Sequence, residues 1–380
     1  MSESPSPTQV SSRARPVPRI EGPRVVRPLT EEMRRHLRVP YGLRHVDPEL
    51  FETLLPLAGA PAPGEIALAR VEKIGKNTRL ELANGRPCTL HVGDLLAVVF
   101  GNRYATMQFE GYARANGDAC DLLSMGGLCG LVESRHASVA ESSKLRLHGS
   151  LGDRAGQPLA LRSFALPPPP PAPRELKVAV VCGSSMDAGK THTASSVIAG
   201  LRKATPGVAG IKLTGTAAGR DTWSLLDAGA CTALDFVDGG HPSTYLLGVD
   251  DLLNLHAHLL GHAALRGATW AVVEIADGLL QAETAALIRS PAFVETVDAW
   301  FFAAADPLAA LSGVGLLKSC GIDPLGITGL ITMSPLAMRE ATAATKLPCF
   351  SAAELQEGAV NALLLGEVED GQRALSAGAA

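Results

Sequence analysis

Apolar residues recur along this chain with three different rhythms, and each predicts a different kind of element. From about Leu29 to Leu57 they fall at helical spacing, with Thr30 ahead of Glu31 and Glu32, and Asp47 and Pro48 ahead of Leu50, Phe51, Leu54 and Leu55. Those are helix-start signals, so a short helical lead-in is expected. Between Glu65 and Phe164 the rhythm shortens to period two between turn residues: Ile66–Val71, Arg79–Leu82 before Asn84 and Gly85, Leu95–Phe100, and Leu159–Phe164 after Gly156. Such runs predict about five or six strands forming a small closed or half-closed β-barrel. The third rhythm starts at Lys177–Cys182, an uninterrupted apolar run that reads as a strand buried on both faces. A helix over Thr191–Lys203, a strand ending near Leu213 and helices over 222–229 and 250–266 are expected next. Strands Thr269–Ile275 and Ala299–Ala304, a helix near 307–320 and a strand Ile327–Thr332 complete the series. This alternation is that of an α/β fold, a parallel sheet with helices on both faces.

Between the last two rhythms stands the proline run Pro167–Pro171, with Pro173 just after. It favours extended polyproline geometry and predicts a semi-rigid spacer. The expected layout is a disordered tail over 1–22, the lead-in over 23–64, the barrel over 65–166, the linker over 167–173 and the parallel-sheet domain over 174–380.

Composition narrows the function classes. With 34 Lys+Arg against 38 Asp+Glu and a net charge of −4, no large positive field exists to hold a phosphate backbone, and no nucleic-acid partner is expected. The N-terminal residues lack the apolar core of a secretory signal, and no stretch approaches the about 18 apolar residues of a membrane span, so a cytoplasmic protein without a membrane partner is expected. Seven cysteines without a CxxC pair read mostly as reduced core residues.

The most informative residues are Gly183-Ser184-Ser185-Met186-Asp187-Ala188-Gly189-Lys190-Thr191, followed by His192, between a buried strand and a helix. A turn there aims backbone N–H groups and the positive end of the helix dipole at one point, which suits a polyphosphate. Gly189 lets the backbone approach, Lys190 reaches the β and γ phosphates, and the Thr191 hydroxyl ligates Mg²⁺. Gly183, Ser184, Asp187, Ala188, Gly189, Lys190, Thr191 and His192 are the expected nucleotide-binding set. The glycine sits one place earlier than in the standard GxxxxGK[ST] loop.

GSSMDAGKT, with its first glycine six residues before the second, resembles the longer phosphate loop of dethiobiotin synthetases. Three further stretches follow in family order. Gly210-Ile-Lys212-Leu-Thr-Gly215 resembles the family's Lys-Pro-Val-x-x-Gly turn; Val272-Val-Glu274-Ile-Ala-Asp277-Gly278-Leu279 resembles its Val-Glu-Gly-Ala-Gly-Gly-Leu; Ile327-Thr-Gly329-Leu-Ile-Thr-Met333 resembles the strand before its base-contacting loop. The resemblance covers about the C-terminal half. It implies ATP and Mg²⁺ as cofactors, a small-molecule acid as substrate and a homodimer. Lys190, Lys212 and Glu274 become the catalytic set, and Thr191, Glu274 and Asp221 the metal set. A carboxylate ending a buried strand beside a phosphate loop suits that role independently; for Lys212 a solvated strand end is the other reading. Ile275 and Asp277 stand where the family has glycines, so the substrate pocket differs, and Met333 stands at the base-reading asparagine, which leaves GTP open beside ATP.

A second stretch, Asp235-Phe-Val-Asp238-Gly239-Gly240-His241-Pro242-Ser243-Thr244-Tyr245, resembles the phosphate-loop half of D-glutamate N-acyltransferase-type proteins, which carry a separate N-terminal domain. It implies acyl transfer with coenzyme A phosphates on the loop. A nucleotide-switched assembly protein is the remaining alternative, although Ser185 stands where dimer-switch relatives carry an extra lysine. Among other candidates, Arg220 and Asp221 can clamp an anion or water-held Mg²⁺, or cap a helix. His256, His258 and His262 read as packing residues rather than ligands, and Asp306 faces the nucleotide or caps the next helix. Arg103, Tyr104, Gln108 and Glu110 form either a recognition surface or a plain hairpin.

Overall fold

The computed structural model describes residues 26–57 and 59–366; the tail expected over 1–22 lies outside them. The chain opens with β1 (Arg27–Pro28), α1 (Glu31–His36), β2 (Leu37–Arg38) and β3 (Thr53–Leu55). Then come β4 (Ile66–Lys73), β5 (Arg79–Glu81), β6 (Pro87–Thr89), β7 (Leu95–Phe100), β8 (Phe109–Tyr112), β9 (Ala119–Leu122), β10 (Leu128–Arg135) and β11 (Ser143–Gly152). Five of these close a ring: β11 pairs β4, β4 pairs β7, β7 pairs β10, β10 pairs β9 and β9 pairs β11. Side-chain alternation places successive residues of β4 and β7 on opposite faces, and both faces are covered, so Ile66–Ala69 and all of β7 are apolar. Ala67, Ala69, Leu96, Val98 and Phe100 fill the ring, while Ile66, Leu68, Leu95, Ala97 and Val99 join a core shared with the C-terminal half.

The lead-in is helical only in part. Thr30 caps α1, its Oγ1 accepting the Met33 N–H at 3.2 Å, and Asp47 caps a 3₁₀ turn at Pro48–Leu50. Leu54 and Leu55, by contrast, are buried in β3, which pairs antiparallel with β11. A single isolated helical turn is marginal, whereas adding to a sheet edge satisfies the backbone and buries both leucines. The expected strand Leu159–Phe164 is a 3₁₀ turn at Leu161–Phe164 after the isolated bridges Gly152↔Pro158 and Glu65↔Ala160. Pro158 has no N–H with which to extend a ladder.

After the prolines six strands form one parallel sheet: β12 (Lys177–Gly183), β13 (Val208–Lys212), β14 (Thr232–Asp235), β15 (Trp270–Glu274), β16 (Ala299–Ala303) and β17 (Gly326–Thr328), in the order β14-β13-β15-β12-β16-β17. The intervening helices are α2 (Lys190–Leu201), α3 (Gly219–Asp227), α4 (Val249–Leu265), α5 (Ala282–Arg289), α6 (Pro291–Val294) and α7 (Pro307–Ser319), with α8 (Pro335–Thr345) and α9 (Ala352–Glu357) after the last strand. Residues of α2, α3 and α9 cover the face of Ala179, Val181 and Val272; residues of α4, α5 and α7 cover that of Val178, Val180 and Val273. This is the α/β phosphate-loop architecture, with the loop leaving a central strand. The last strand stops at Thr328 because Gly329 turns the chain at φ +91° into a 3₁₀ helix, Leu330–Met333.

The proline run lies against α4: Pro167 O accepts from His262 Nε2 at 2.9 Å, and a Cβ on Gly261 would stand 2.6 Å from Pro170 O. The two sheets are also tied by a polar seam. Tyr41 Oη donates to Asp235 Oδ2 at 2.8 Å, Arg44 Nη2 reaches Asp235 at 2.8 Å and Asp238 at 2.7 Å, and His45 Nε2 meets Asp238 at 2.8 Å. Burial alone would raise the Asp238 carboxyl; its hydrogen bond with His45 and the Arg44 charge hold it below its ordinary value. Among the described residues no helix is long and apolar enough to cross a membrane.

Candidate functional site

In a parallel sheet, ligand-binding groups gather beyond the carboxyl ends of the strands. The register here places Lys212 of β13 and Val181 of β12 level with Glu274 of β15, so three adjacent strand ends converge where the 183–190 turn enters α2. Asp187 at φ +62° and Gly189 at φ +99° shape that turn. A Cβ at position 189 would lie 2.9 Å from Gly329 Cα, so this approach requires glycine.

Lys190 begins α2 and is buried, its Nζ donating to Ser185 O at 2.6 Å. Burial pushes its pKa down, opposed by the nearby Glu274 and Asp277 carboxylates. Thr191 Oγ1 donates to Glu274 Oε1 at 2.9 Å. Glu274 is 2% exposed, and its Oε2 has no hydrogen-bond partner. Lys212, also buried, pairs with Asp221 and stands 3.7 Å from Glu274 Oε1. Burial pushes the Asp277 carboxyl up, against the pull of Lys190 and Lys212.

These groups open on a cleft of about 560 Å³. The turn into α2 contributes Met186, Asp187, Gly189, Lys190, Thr191 and His192 to its lining, the strand ends and neighbouring segments contribute Lys212, Asp221, Glu274 and Asp277, and the barrel contributes Arg103, Tyr104, Ala105 and Gln108. Of the expected loop set, Gly183, Ser184 and Ala188 stand behind this lining. Gly183 is a strand residue paired with Ala303, and the Ser184 N–H is spent on Ala303 O at 2.9 Å. Ala188 is fully buried, its carbonyl accepting the Leu330 N–H at 3.0 Å.

Other candidates fall elsewhere. Asp235 and Asp238 serve the seam. Asp306 caps α7, accepting the Ala309 N–H at 2.8 Å. On α4, His256 bonds Thr296 at 3.1 Å and the His258 ring packs against that of His262 at 4.7 Å. Glu110 is held by Tyr112 of its own strand at 2.6 Å and by Ser134 across on β10 at 2.7 Å, outside the cleft lining. Tyr245 packs its ring 5.5 Å from that of Tyr104. Sequence reasoning did not single out Tyr41, Arg44 and His45, nor Glu81, whose Oε2 accepts the Gly219 N–H at 2.7 Å and so caps α3 from the barrel. Their partners lie more than a hundred positions away, so no local spacing announces them.

A divalent cation fits this donor set. The hydroxyl of Thr191 and the carboxylate of Glu274 are hard oxygen donors, and the unpartnered Glu274 oxygen is a buried acceptor without a donor. Among the described residues no three or more His, Cys, Asp or Glu side chains gather as a metal centre, so an ion here would share its shell with oxygens of a bound ligand.

No protein-family model and no curated protein matches the sequence. Among solved structures the chain is similar to the signal recognition particle 54 kDa protein from Aeropyrum pernix K1 in complex with GDP, at 19% identity and TM-score 0.35, over 52% of this chain and 47% of that one. It is also similar to HypB from Helicobacter pylori in complex with nickel, at 14% identity and TM-score 0.27, over 51% of this chain and 87% of that one. The chain thus spans about half the length of the first of these. The fold assignment rests on the strand order and the loop described above.

Proposed function

We propose that this chain is an enzyme that uses a nucleoside triphosphate and Mg²⁺ to phosphorylate a carboxylate or carbamate group of a small molecule, activating it for ligation, cyclisation or transfer. The observation that carries this reading is the Thr191–Glu274 contact at 2.9 Å beside Lys190, with the second Glu274 oxygen buried and unpartnered. A buried carboxylate oxygen without a donor is costly unless a ligand supplies one.

The backbone around Gly189 and the start of α2 would cradle the phosphates. Lys190, now turned onto Ser185 O, would swing to the terminal phosphates; Thr191 and Glu274 would hold the cation. When bound, Mg²⁺ neutralises phosphate oxygens and favours departure of the terminal group. Lys212, between Asp221 and Glu274, would neutralise the oxygen that receives the phosphoryl group. Phosphoryl transfer asks a protein mainly for such positioning and charge stabilisation. The four family-order motifs support the same reading, and ATP is the expected nucleotide.

Phosphate release from MgATP and MgGTP, with a panel of small acids, tests it. Lys190→Ala should lower turnover by about 100-fold or more with an unchanged near-UV circular dichroism spectrum; wild-type turnover in that variant would sink the proposal. A rise in melting temperature with coenzyme A and none with either nucleotide would shift the assignment to acyl transfer.

A further inference from the structure

Two arginines withdrawn from solvent, Arg44 in part and Arg103 almost wholly, are treated differently. Arg44 is neutralised by Asp235 and Asp238 at 2.8 and 2.7 Å. Arg103, 7% exposed at the barrel wall of the cleft, has only neutral partners: Nη1 donates to Leu123 O and Nη2 to Gln108 Oε1 at 2.9 Å. Its Nε has no partner, and its guanidinium lies 5.8 Å from the Phe109 ring centroid. A guanidinium carries five N–H donors in a fixed fork suited to a carboxylate, so most of this fork is unspent. Burial pushes its pKa down, opposed by the Asp277 carboxylate of the phosphate-loop half, with which it makes no ion pair. A buried cation without a paired anion is expensive to fold, and its position in the cleft lining says where the missing anion comes from.

We propose that Arg103 binds an acidic group of the small-molecule substrate remote from the one that is phosphorylated, so that the barrel selects the acid while the 183–191 turn holds the nucleotide. The substrate class is therefore a small dicarboxylate or its analogue. Arg103, Lys212 and Glu274 line the same cleft, so a molecule with two acidic groups would place one on the Arg103 fork and offer the other to Lys212. Tyr104, beside Tyr245, would line the stem between the two groups. This inference rests on the nucleotide reading.

The test uses the full chain saturated with MgADP, so that anions no longer gain from the phosphate loop, and follows melting temperature on titration with succinate and glutarate. The wild type should be stabilised by at least one of these acids, and Arg103→Met should need about tenfold more of it or more, while its MgADP affinity is retained. Should Arg103→Met not fold, Arg103→Lys, which keeps the charge but loses the fork, carries the same prediction with a smaller drop. An equal response in wild type and variant, or no response of the wild type to either acid, overturns the proposal. Loss of MgADP affinity in the variant also overturns it, because Arg103 would then serve the phosphates. If MgADP itself leaves the wild-type melting temperature unchanged, the nucleotide reading fails first and takes this one with it.

Discussion

Lys190 and Glu274 carry opposite burdens at the same strand ends: one amine turned onto a backbone carbonyl, one carboxylate with an idle oxygen. Neither arrangement favours the free protein, which makes the consequence of neutralising each one specific. Glu274→Gln should change the stability of the ligand-free protein by less than about 1 kcal/mol, since the amide oxygen still accepts the Thr191 hydroxyl while a buried charge is removed. The same variant should lose the Mg²⁺-dependent part of nucleotide stabilisation in a thermal melt; an intact Mg²⁺ effect would remove Glu274 from the metal shell. The place of Glu274 at the end of a buried strand is legible in the sequence, because a single charge closes an apolar run there. For Ser184 the structure adds what spacing could not: its N–H is spent on Ala303 O at 2.9 Å, while its buried Oγ has no hydrogen-bond partner.

At the scale of elements, long apolar runs were legible and short mixed ones were not. β7, and β12 after Lys177, announce themselves because both faces are covered, which makes the run apolar throughout. β8, β9 and β14 have four residues each, and a run so short carries no period. α4 was expected, but its histidines gain a role only from their neighbours. His256 is packed at 4.8 Å from the Phe293 ring, and burial pushes its pKa down to about 4. With the folded value below the ordinary 6.5, this group favours folding fully above about pH 6.5 and loses that contribution as pH falls towards 4. The loss amounts to about 3 kcal/mol. Urea midpoints measured between pH 7 and pH 4 should therefore fall less steeply in His256→Leu than in the wild type; identical slopes would mean that the imidazole is charged in the fold.

Across the whole molecule, the outer faces of β4 and β7 share one core with the inner face of the parallel sheet, and the seam of Tyr41, Arg44 and His45 closes over Asp235 and Asp238. Arg44→Met would strand two buried carboxylates, so unfolding free energy should drop by about 3 kcal/mol or more; a drop under about 1 kcal/mol would mean the seam is solvated. The proline run stands between the two kinds of sheet, but nothing in it revealed that it docks on α4 or that the cleft is lined from both sides of it. That shared cleft gives the barrel a reason to be attached. The most direct measurement is a calorimetric titration of the full chain with ATP, with and without Mg²⁺, repeated on Lys190→Ala. Saturable binding near one nucleotide per chain, strengthened by the metal and lost in the variant, is the predicted result; no heat with ATP or GTP under either condition would contradict it.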